Sequence, residues 1–368
     1  MRRALVVVLL ALAVPAPAAA TISLVAQPAT PHYGAQVTLS GTAAPGDSVQ
    51  LFYNGAPAGS PVVADGSGNF GFAFAATQPG AYHVATAGDV SDTVNLKLRP
   101  ILTREMNGLR YPGNRLVLKG RLQPAAAGSL TLKVGTRHWH VRVGQKGHYT
   151  ATVPTDRLGR HRARLVLTPH VGYRSLTARK RYRILAPRLS TGARGKAVLA
   201  LERRLLALRH VLKGGATSYY AYDTYEAVLA FQKVHHMART GRVTRGVWKV
   251  LARAKVPEPR ARGTHVEVSK TLQVMYEVRK GKVVRIVHVS TGATGNTPVG
   301  KWHVYGKVPG LNSHGMYYSL FFTGAFAIHG YASVPPYPAS HGCVRTPMWF
   351  APGFYSRWAV GATVYIFA

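Results

Sequence analysis

A single cysteine, Cys343, is the strongest candidate nucleophile in this sequence. It belongs to the segment SHGCVR at residues 340–345, and His329, followed by Gly330, lies upstream of it. A thiol reacts as the thiolate, which a nearby imidazole can generate near neutral pH. The combination predicts nucleophilic catalysis through Cys343.

Two histidines compete for the role of base. His329 closes a short predicted strand, a rigid position from which its ring can face the thiol, whereas His341 lies two residues from Cys343 in a predicted turn. Gly342 permits a tight turn that can aim the amides of Gly342 and Cys343 at a developing oxyanion. We expect His329 to be the base, and for His341 a structural and a catalytic role both stay open.

Positive charge surrounds this predicted site. Arg345 lies two residues beyond Cys343, and no aspartate or glutamate follows Glu277. Cations lower the pKa of a thiol, so we expect the pKa of Cys343 to lie below its ordinary value of about 8.5. A zinc site made of His329, His341 and Cys343 is an alternative, but it would lack the usual carboxylate base. We therefore predict neither a metal nor a cofactor.

The composition and the N-terminus indicate an exported protein. Residues 1–20 combine Arg2 and Arg3 with a short apolar run and a small-residue cleavage site, a pattern typical of a secretory signal. If uncleaved, this segment is the one predicted contact with a membrane. The formal net charge of +35 favours polyanionic partners. Export favours anionic wall polymers over nucleic acid, and we expect a secreted or wall-associated monomer.

The rest of the chain divides into four predicted units. Residues 21–99 and 100–186 show short alternating strands separated by turns, and the second range repeats the strand pattern of the first. This predicts two tandem immunoglobulin-like β-sandwiches. Residues 187–255 change to helical period, and after a proline-rich linker residues 264–368 return to β alternation. The predicted fold class is multidomain and mostly β, with one small three-helix domain.

Capping residues delimit the predicted helices. Leu201 and Leu205 fall on one face of the first helix. Asp223, with Glu226 three residues later, predicts a capped second helix. Thr244 predicts the cap of a third.

Two resemblances follow from these patterns. Residues 187–255 resemble the small three-helix peptidoglycan-binding domain of wall hydrolases and transpeptidases, through Gly192, Gly195, Val198, Leu201, Leu205, Tyr225, Glu226, Ala227, Val228, Phe231, Gln232, Gly241, Val243, Trp248 and Leu251. Glu202 stands where that family usually has glutamine. Residues 264–368 resemble the YkuD-type L,D-transpeptidase catalytic domain, through Thr297-Pro298-x-Gly300, Ile328-His329-Gly330 and residues 340–345.

The second resemblance implies a mostly β enzyme that cleaves a peptidoglycan stem peptide after its third residue and transfers the acyl group to an amine through a thioester. It implies Cys343 as nucleophile and His329 as base. It further implies that Gly330 orients the base and that Arg345 holds a substrate carboxylate. Ser340, His341 and Gly342 would shape the turn and the oxyanion site. The interval between His329 and Ser340 is shorter than in many members, which predicts a reduced, stiff lid.

Several functions stay open at this point. The alternatives are a non-catalytic wall-binding protein, and an L,D-carboxypeptidase or protein-anchoring variant of the same fold. The expected partners are peptidoglycan stem peptides and glycan. Because the helical segment should contribute only polymer binding, we expect deletion of residues 190–255 to leave chemistry on small soluble substrates largely intact.

Overall fold

The structure is a computed structural model that describes residues 21–368, and the predicted signal segment at residues 1–20 lies outside the described residues. In the described range, 44% of the residues form strands and 12% form helices. The predicted multidomain, mostly β fold class is therefore confirmed. None of the helices in residues 21–368 is long and apolar enough to span a membrane.

The first β unit consists of two antiparallel sheets. Its strands are β1 (Val25–Gln27), β2 (Gln36–Thr42), β3 (Ser48–Tyr53), β4 (Ala56–Pro57), β5 (Val62–Val63), β6 (Asn69–Ala75), β7 (Gly80–Ala85) and β8 (Val94–Leu96). One sheet has the order β1-β2-β6 and the other β4-β3-β7-β8, with β5 also paired to β3. Alternate residues of each strand, such as Leu39 and Leu51, point inward and fill one core between the sheets.

The second β unit has the same two-sheet plan. Its strands are β9 (Ile101–Leu102), β10 (Glu105–Gly108), β11 (Leu116–Gln123), β12 (Gly128–Val134), β13 (Arg137–Val141), β14 (His148–Val153), β15 (Gly159–Pro169) and β16 (Leu176–Ile184), with a 3-10 helix at Ala125–Ala127. The sheets are β10-β11-β14, with β9 paired to β11, and β13-β12-β15-β16. Leu118, Leu132 and Leu165 lie in their shared core.

Two pairs of glycines show that the sequence repeat is also a structural repeat. A Cβ on Gly41 would lie 1.9 Å from the carbonyl oxygen of Ser23, and a Cβ on Gly120 would lie 2.0 Å from that of Thr103. The strands therefore approach too closely at these points for any side chain. Gly68 and Gly147, which precede β6 and β14, both have a φ of +81° and an equally close carbonyl.

Three helices form a small domain with its own core. They are α1 (Lys196–Ala207), α2 (Tyr222–Val234) and α3 (Arg245–Leu251). Val198, Leu201, Leu205, Phe231 and Trp248 are fully buried between them. The spacing of these apolar residues along the sequence places each of them on the inward face of its helix, and this pattern is what characterises the three-helix fold.

One predicted helix cap is confirmed and the other is wrong. The Thr244 hydroxyl accepts a hydrogen bond from the amide of Val247 at 3.4 Å, as a helix N-cap does. The N-cap of α2 is Ala221, not Asp223, and the Asp223 carboxylate accepts from the Lys213 amide at 2.8 Å. Asp223 lies in the first turn, where its charge still complements the helix dipole.

The C-terminal unit contains two more sheets. Its elements are β17 (His265–Ser269), β18 (Val274–Arg279), β19 (Lys282–His288), β20 (Gly300–His303), β21 (Gly306–Leu311), β22 (Tyr317–Thr323), β23 (Phe326–Tyr331), β24 (Val344–Pro347), α4 (Ala351–Arg357) and β25 (Thr363–Phe367). One sheet has the order β19-β18-β17-β25-β20, and the other β21-β22-β23-β24. Val268, Ile328, Val344 and Phe354 belong to the core that joins them.

The helical domain packs directly on this C-terminal unit. Ala230 of α2 shares a buried cluster with Val274 and Ile286 of β18 and β19. Lys233, also on α2, is 1% exposed and donates to the carbonyl oxygens of Gln273 at 2.9 Å and Val289 at 3.1 Å. Its ammonium also lies 2.6 Å from the Nδ1 of His288.

The tautomer of His288 defines the role of Lys233. The Nε2 of His288 lies 2.7 Å from the carbonyl oxygen of Val334, which can only accept, so Nε2 carries the hydrogen and Nδ1 accepts from Lys233. Lys233 therefore faces three acceptors with the three N–H groups of an ammonium. Burial, and then the guanidinium of Arg239, lower the pKa of Lys233 to about 6, whereas the three acceptors favour its charged form.

Candidate active site

Two parallel neighbouring strands position the predicted nucleophile and base. His329 belongs to β23 and pairs with Arg345 of β24, and Ile328 pairs with Val344. Cys343 directly precedes β24. Since neighbouring strands lie about 4.8 Å apart, the pairing fixes the two candidate residues on adjacent strands of one sheet.

The imidazole of His329 is buried and held in one tautomer. The residue is 3% exposed, and its Nδ1 lies 2.9 Å from the carbonyl oxygen of Gly330. A carbonyl oxygen only accepts, so Nδ1 carries the hydrogen and Nε2 keeps its lone pair. Burial lowers the pKa of His329, the hydrogen bond to Gly330 opposes this, and the guanidinium of Arg345 lowers the pKa further. The ring is thus a neutral acceptor at Nε2 near neutral pH.

The Cys343 thiol is half-buried beside β23. The backbone amide of Ala327 donates to Sγ at 3.5 Å, and Sγ lies 3.7 Å from the carbonyl oxygen of Ala325. Burial raises the pKa of Cys343 above its ordinary value, while the Ala327 amide and Arg345 act in the opposite direction. The expectation of a lowered pKa is wrong, because it considered the surrounding charge and not desolvation.

Ser340 of the turn itself and the neighbouring residues Asn296 and Thr297 of one other segment hold the turn before Cys343. The Ser340 hydroxyl accepts from the Gly342 amide at 3.0 Å and donates to the Cys343 carbonyl at 2.5 Å. The Thr297 hydroxyl donates to the Gly342 carbonyl at 2.7 Å. Asn296 Nδ2 donates to the carbonyl of His341 at 2.8 Å. The turn is therefore fixed at three consecutive peptide units.

Gly342 fits this turn for a steric reason. Its φ is +128°, and a Cβ at this position would lie 2.1 Å from the ring of Phe326. Because the Gly342 amide already donates to Ser340, it does not point to an oxyanion, contrary to expectation. Of the two amides that the sequence suggested for this role, that of Cys343 is the remaining candidate.

The other two predicted site residues lie on either side of the thiol. His341 is exposed, and its carbonyl, not its ring, is held by Asn296. Arg345 is half-buried, with its guanidinium 4.1 Å from the centre of the Tyr331 ring in a cation–π contact. The aromatic ring keeps the guanidinium near the site without neutralising its charge.

The segment between β23 and the Ser340 turn is held at three carbonyl oxygens. His288 contacts that of Val334, and Arg239 of the helical domain donates to that of Pro336 at 2.9 Å. The Ser290 hydroxyl donates to the carbonyl of Tyr337 at 2.7 Å. This segment is therefore anchored from both the β19 side of the other C-terminal sheet and the helical domain.

Several supporting residues were not predicted from the sequence. Asn296, Ser290 and His288 all act on backbone groups of residues far along the chain. Only Asn296 had a local signal, since it precedes the Thr297-Pro298 pair. Within residues 21–368, no group of three or more histidine, cysteine, aspartate or glutamate side chains has an arrangement that could hold a metal ion.

Comparisons with known families match both C-terminal units. The sequence profile of the L,D-transpeptidase catalytic domain (YkuD) matches residues 263–366. The profile of a peptidoglycan binding domain (PG_binding_1) matches residues 194–251. None of the curated proteins compared with the chain matches it.

Solved structures of L,D-transpeptidases are similar to part of the chain. The protein of Xylanimonas cellulosilytica is 32% identical, over 50% of this chain and 99% of that chain, with a TM-score of 0.47. That of Stackebrandtia nassauensis is 22% identical, over 49% and 95%, with a TM-score of 0.31. A mutant enzyme of Enterococcus faecium is 23% identical, over 31% and 53%, with a TM-score of 0.26. The chain therefore contains a YkuD-type L,D-transpeptidase catalytic domain at residues 263–366, with a peptidoglycan binding domain on its N-terminal side at residues 194–251.

Proposed function

We propose that this protein is a peptidoglycan L,D-transpeptidase in which Cys343 forms a thioester with a stem peptide. One observation supports this most directly: the His329 ring, with its Nε2 lone pair free to accept a proton, lies on β23, which is paired with β24, the strand that Cys343 directly precedes. The YkuD match over the same residues supports the choice of substrate class.

The proposed reaction has two halves with the same proton path. Nε2 of His329 takes the thiol proton as Sγ of Cys343 attacks the carbonyl carbon of the third stem residue. The amide of Cys343 donates to the oxyanion. Collapse of the tetrahedral intermediate breaks the peptide C–N bond, and the proton on Nε2 passes to the leaving amine. An acceptor amine then loses a proton to Nε2 as it attacks the thioester carbonyl; collapse of this second intermediate breaks the C–S bond, and the proton on Nε2 returns to Sγ of Cys343.

The raised pKa of Cys343 and the lowered pKa of His329 describe the resting state. The thiol keeps its proton and the imidazole stays neutral, so proton transfer accompanies attack instead of preceding it. Turnover should rise with pH through the pKa of His329, which lies below its ordinary 6.5 because the buried ring resists protonation. Alkylation of free Cys343 should instead rise at a pH above the ordinary value of a thiol.

Replacing Arg345 with methionine tests the electrostatic part of this proposal. The guanidinium lowers the pKa of both Cys343 and His329, so its removal should shift the alkylation profile and the acidic limb of turnover upward. Loss of a carboxylate partner should separately raise the KM for tetrapeptide. Iodoacetamide alkylation measured against pH, without substrate, separates the two effects. A higher KM with an unchanged alkylation profile would make Arg345 a substrate contact only.

The acceptor is tested by the products. Mature enzyme incubated with purified tetrapeptide muropeptides should yield cross-linked dimers in mass spectra, with a transient thioester mass on the protein. Tripeptide as the sole product would instead make water the acceptor and the enzyme an L,D-carboxypeptidase. Absence of both products, together with no acylation of Cys343 by a carbapenem, would favour the non-catalytic wall-binding alternative.

The peptidoglycan binding domain supports a wall-associated, extracytoplasmic location and a role in wall cross-linking or remodelling. A domain that holds polymer raises the local concentration of stem peptides at the catalytic site. Under this proposal the partners are the peptide stems and the glycan of peptidoglycan. The enzyme would act as a monomer.

A further inference from the structure

Six arginines line the outer face of two neighbouring strands in the second β unit. On β15 and β16 they occur at every second residue, so that all six point away from the core and are exposed. The antiparallel register places them directly opposite one another in three pairs: Arg160 with Arg183, Arg162 with Arg181, and Arg164 with Arg179. We call this surface the arginine face.

Nothing in the fold accounts for this arrangement. Like charges directly opposite each other in an antiparallel pair destabilise the sheet, and Arg164 meets a further cation, Lys133, on its other side. The two acidic residues in the range 100–186 are engaged elsewhere: Glu105 with Lys119 at 3.8 Å and Asp156 with Arg137 at 2.8 Å. The positive charge of the arginine face is therefore not compensated within its own β unit.

The geometry of the arginine face fits a linear polyanion. Alternate residues of a strand lie about 6.6 Å apart, so the three pairs extend over about 13 Å in two parallel rows. Four of the arginines, Arg160, Arg162, Arg181 and Arg183, line a depression of about 690 Å³ together with Arg110, His161 and Tyr182. Guanidinium groups bind phosphate oxygens in a bidentate manner. Evenly spaced guanidiniums therefore match evenly spaced phosphodiesters better than a single small anion.

The same face does not fit insertion into a bilayer. The remaining outward positions of the two strands carry Val166, Thr168 and Thr177, and the one apolar side chain among them, Val166, is half-buried. Membrane-surface binding combines cations with apolar side chains that enter the headgroup region. The arginine face supplies only the cations.

We propose that the arginine face binds a linear phosphodiester polymer of the cell wall, and so gives the protein a second wall contact besides its peptidoglycan binding domain. The choice of a wall polymer rests on the extracytoplasmic location proposed above. The surface itself does not depend on that proposal, and its binding can be measured without catalysis.

The test compares two variants that lose the same charge. One carries Arg162→Gln, Arg164→Gln and Arg181→Gln. The control carries Arg115→Gln, Lys146→Gln and Arg174→Gln, three exposed cations of the same unit outside β15 and β16. Binding of fluorescent poly(glycerol phosphate) to the full mature chain is followed by anisotropy over a series of salt concentrations. We expect the first variant to bind at least about tenfold more weakly, with a log–log salt slope smaller by about two, and the control to bind like wild type.

Two further measurements make the result decisive. Removing three of the six facing cations should raise the melting temperature and leave turnover of soluble muropeptides unchanged, so a loss of binding cannot be due to unfolding. An equal loss in the control variant would show diffuse charge and overturn the proposal. Tighter binding to anionic phospholipid vesicles than to the polymer would also overturn it.

Discussion

Replacing Cys343 with alanine should reduce turnover of tetrapeptide muropeptides to below about one per cent of wild type, since the thiol is the only covalent centre of the proposed reaction. Cys343→Ser should be nearly as inactive, because a hydroxyl beside the same imidazole is a weaker nucleophile. Neither variant should show a thioester mass. Residual turnover above that level in the alanine variant would exclude the proposed mechanism.

The two histidines provide a matched comparison. His329→Ala should lower turnover by about 100- to 10,000-fold, the usual contribution of a general base. His341→Ala should have a smaller effect, because its ring is exposed while its carbonyl, which the substitution keeps, is the group that holds the turn. If His341→Ala is the more damaging of the two, the base has been assigned to the wrong residue. Circular dichroism of both variants checks that the fold is intact.

Replacing Lys233 with methionine should have the second large effect, on stability. The carbonyl of Val289 and the Nδ1 of His288 would be left without their donor inside the interface, whereas the carbonyl of Gln273 would keep its hydrogen bond from the Val289 amide. Unpaired buried polar groups of this kind cost about 3 kcal/mol in total. Methionine keeps the length and apolar volume of the stem, so the loss reports the hydrogen bonds and not a cavity. The free energy of unfolding from denaturant titration measures it.

Lys249→Met is the control, since Lys249 is an exposed lysine on α3 of the same helical domain. Its free energy of unfolding should change by less than about 0.5 kcal/mol. A similarly small change for Lys233→Met would mean that the interface does not stabilise the protein. Lys233→Met should also loosen the segment around Val334 through His288, which proteolysis of that segment would detect.

The interface between the helical domain and the C-terminal unit also contradicts the reasoning behind one prediction made from the sequence. Deletion of residues 190–255 was expected to spare the chemistry on small substrates, on the view that the helical domain only binds polymer. The structure shows that this deletion would expose the cluster around Ile286 and remove Arg239 from the Pro336 carbonyl. We now expect the truncated chain to lose stability and activity on soluble substrates as well.

The parts predicted correctly from the sequence depended on local patterns. The return to β structure after residue 264 and the core leucines of α1 follow from period alone. The predictions that the structure contradicts concerned features that depend on contacts between residues far apart in the sequence. Glu226 was assigned to a helix cap, yet its carboxylate accepts from the indole of Trp349 at 2.7 Å, and nothing near either residue in sequence indicates this.

The candidate site shows the same contrast between features set by local sequence and features set by the folded structure. The motif around Cys343 and the spacing to His329 could be recognised because they are short and unusual in residue type. The direction of the Cys343 pKa could not, because it depends on how deeply the folded chain buries the thiol. The hydrogen bond from the Gly342 amide to the Ser340 hydroxyl joins residues that are close in sequence. Whether Ser340 accepts from the amide of Gly342 or from that of Cys343 nevertheless depends on the geometry of the turn.

The buried side chain of Lys233 has one consequence for how the enzyme would position a bound glycan strand. Because α2 is fastened to β18 and β19 by Lys233 and Ala230, the helical domain is not free to swing on the linker before residue 264. A glycan strand held by that domain would arrive at Cys343 at a fixed offset and angle. Under the proposed function, the two domains would select stem peptides by their position along the glycan strand as well as by their chemistry.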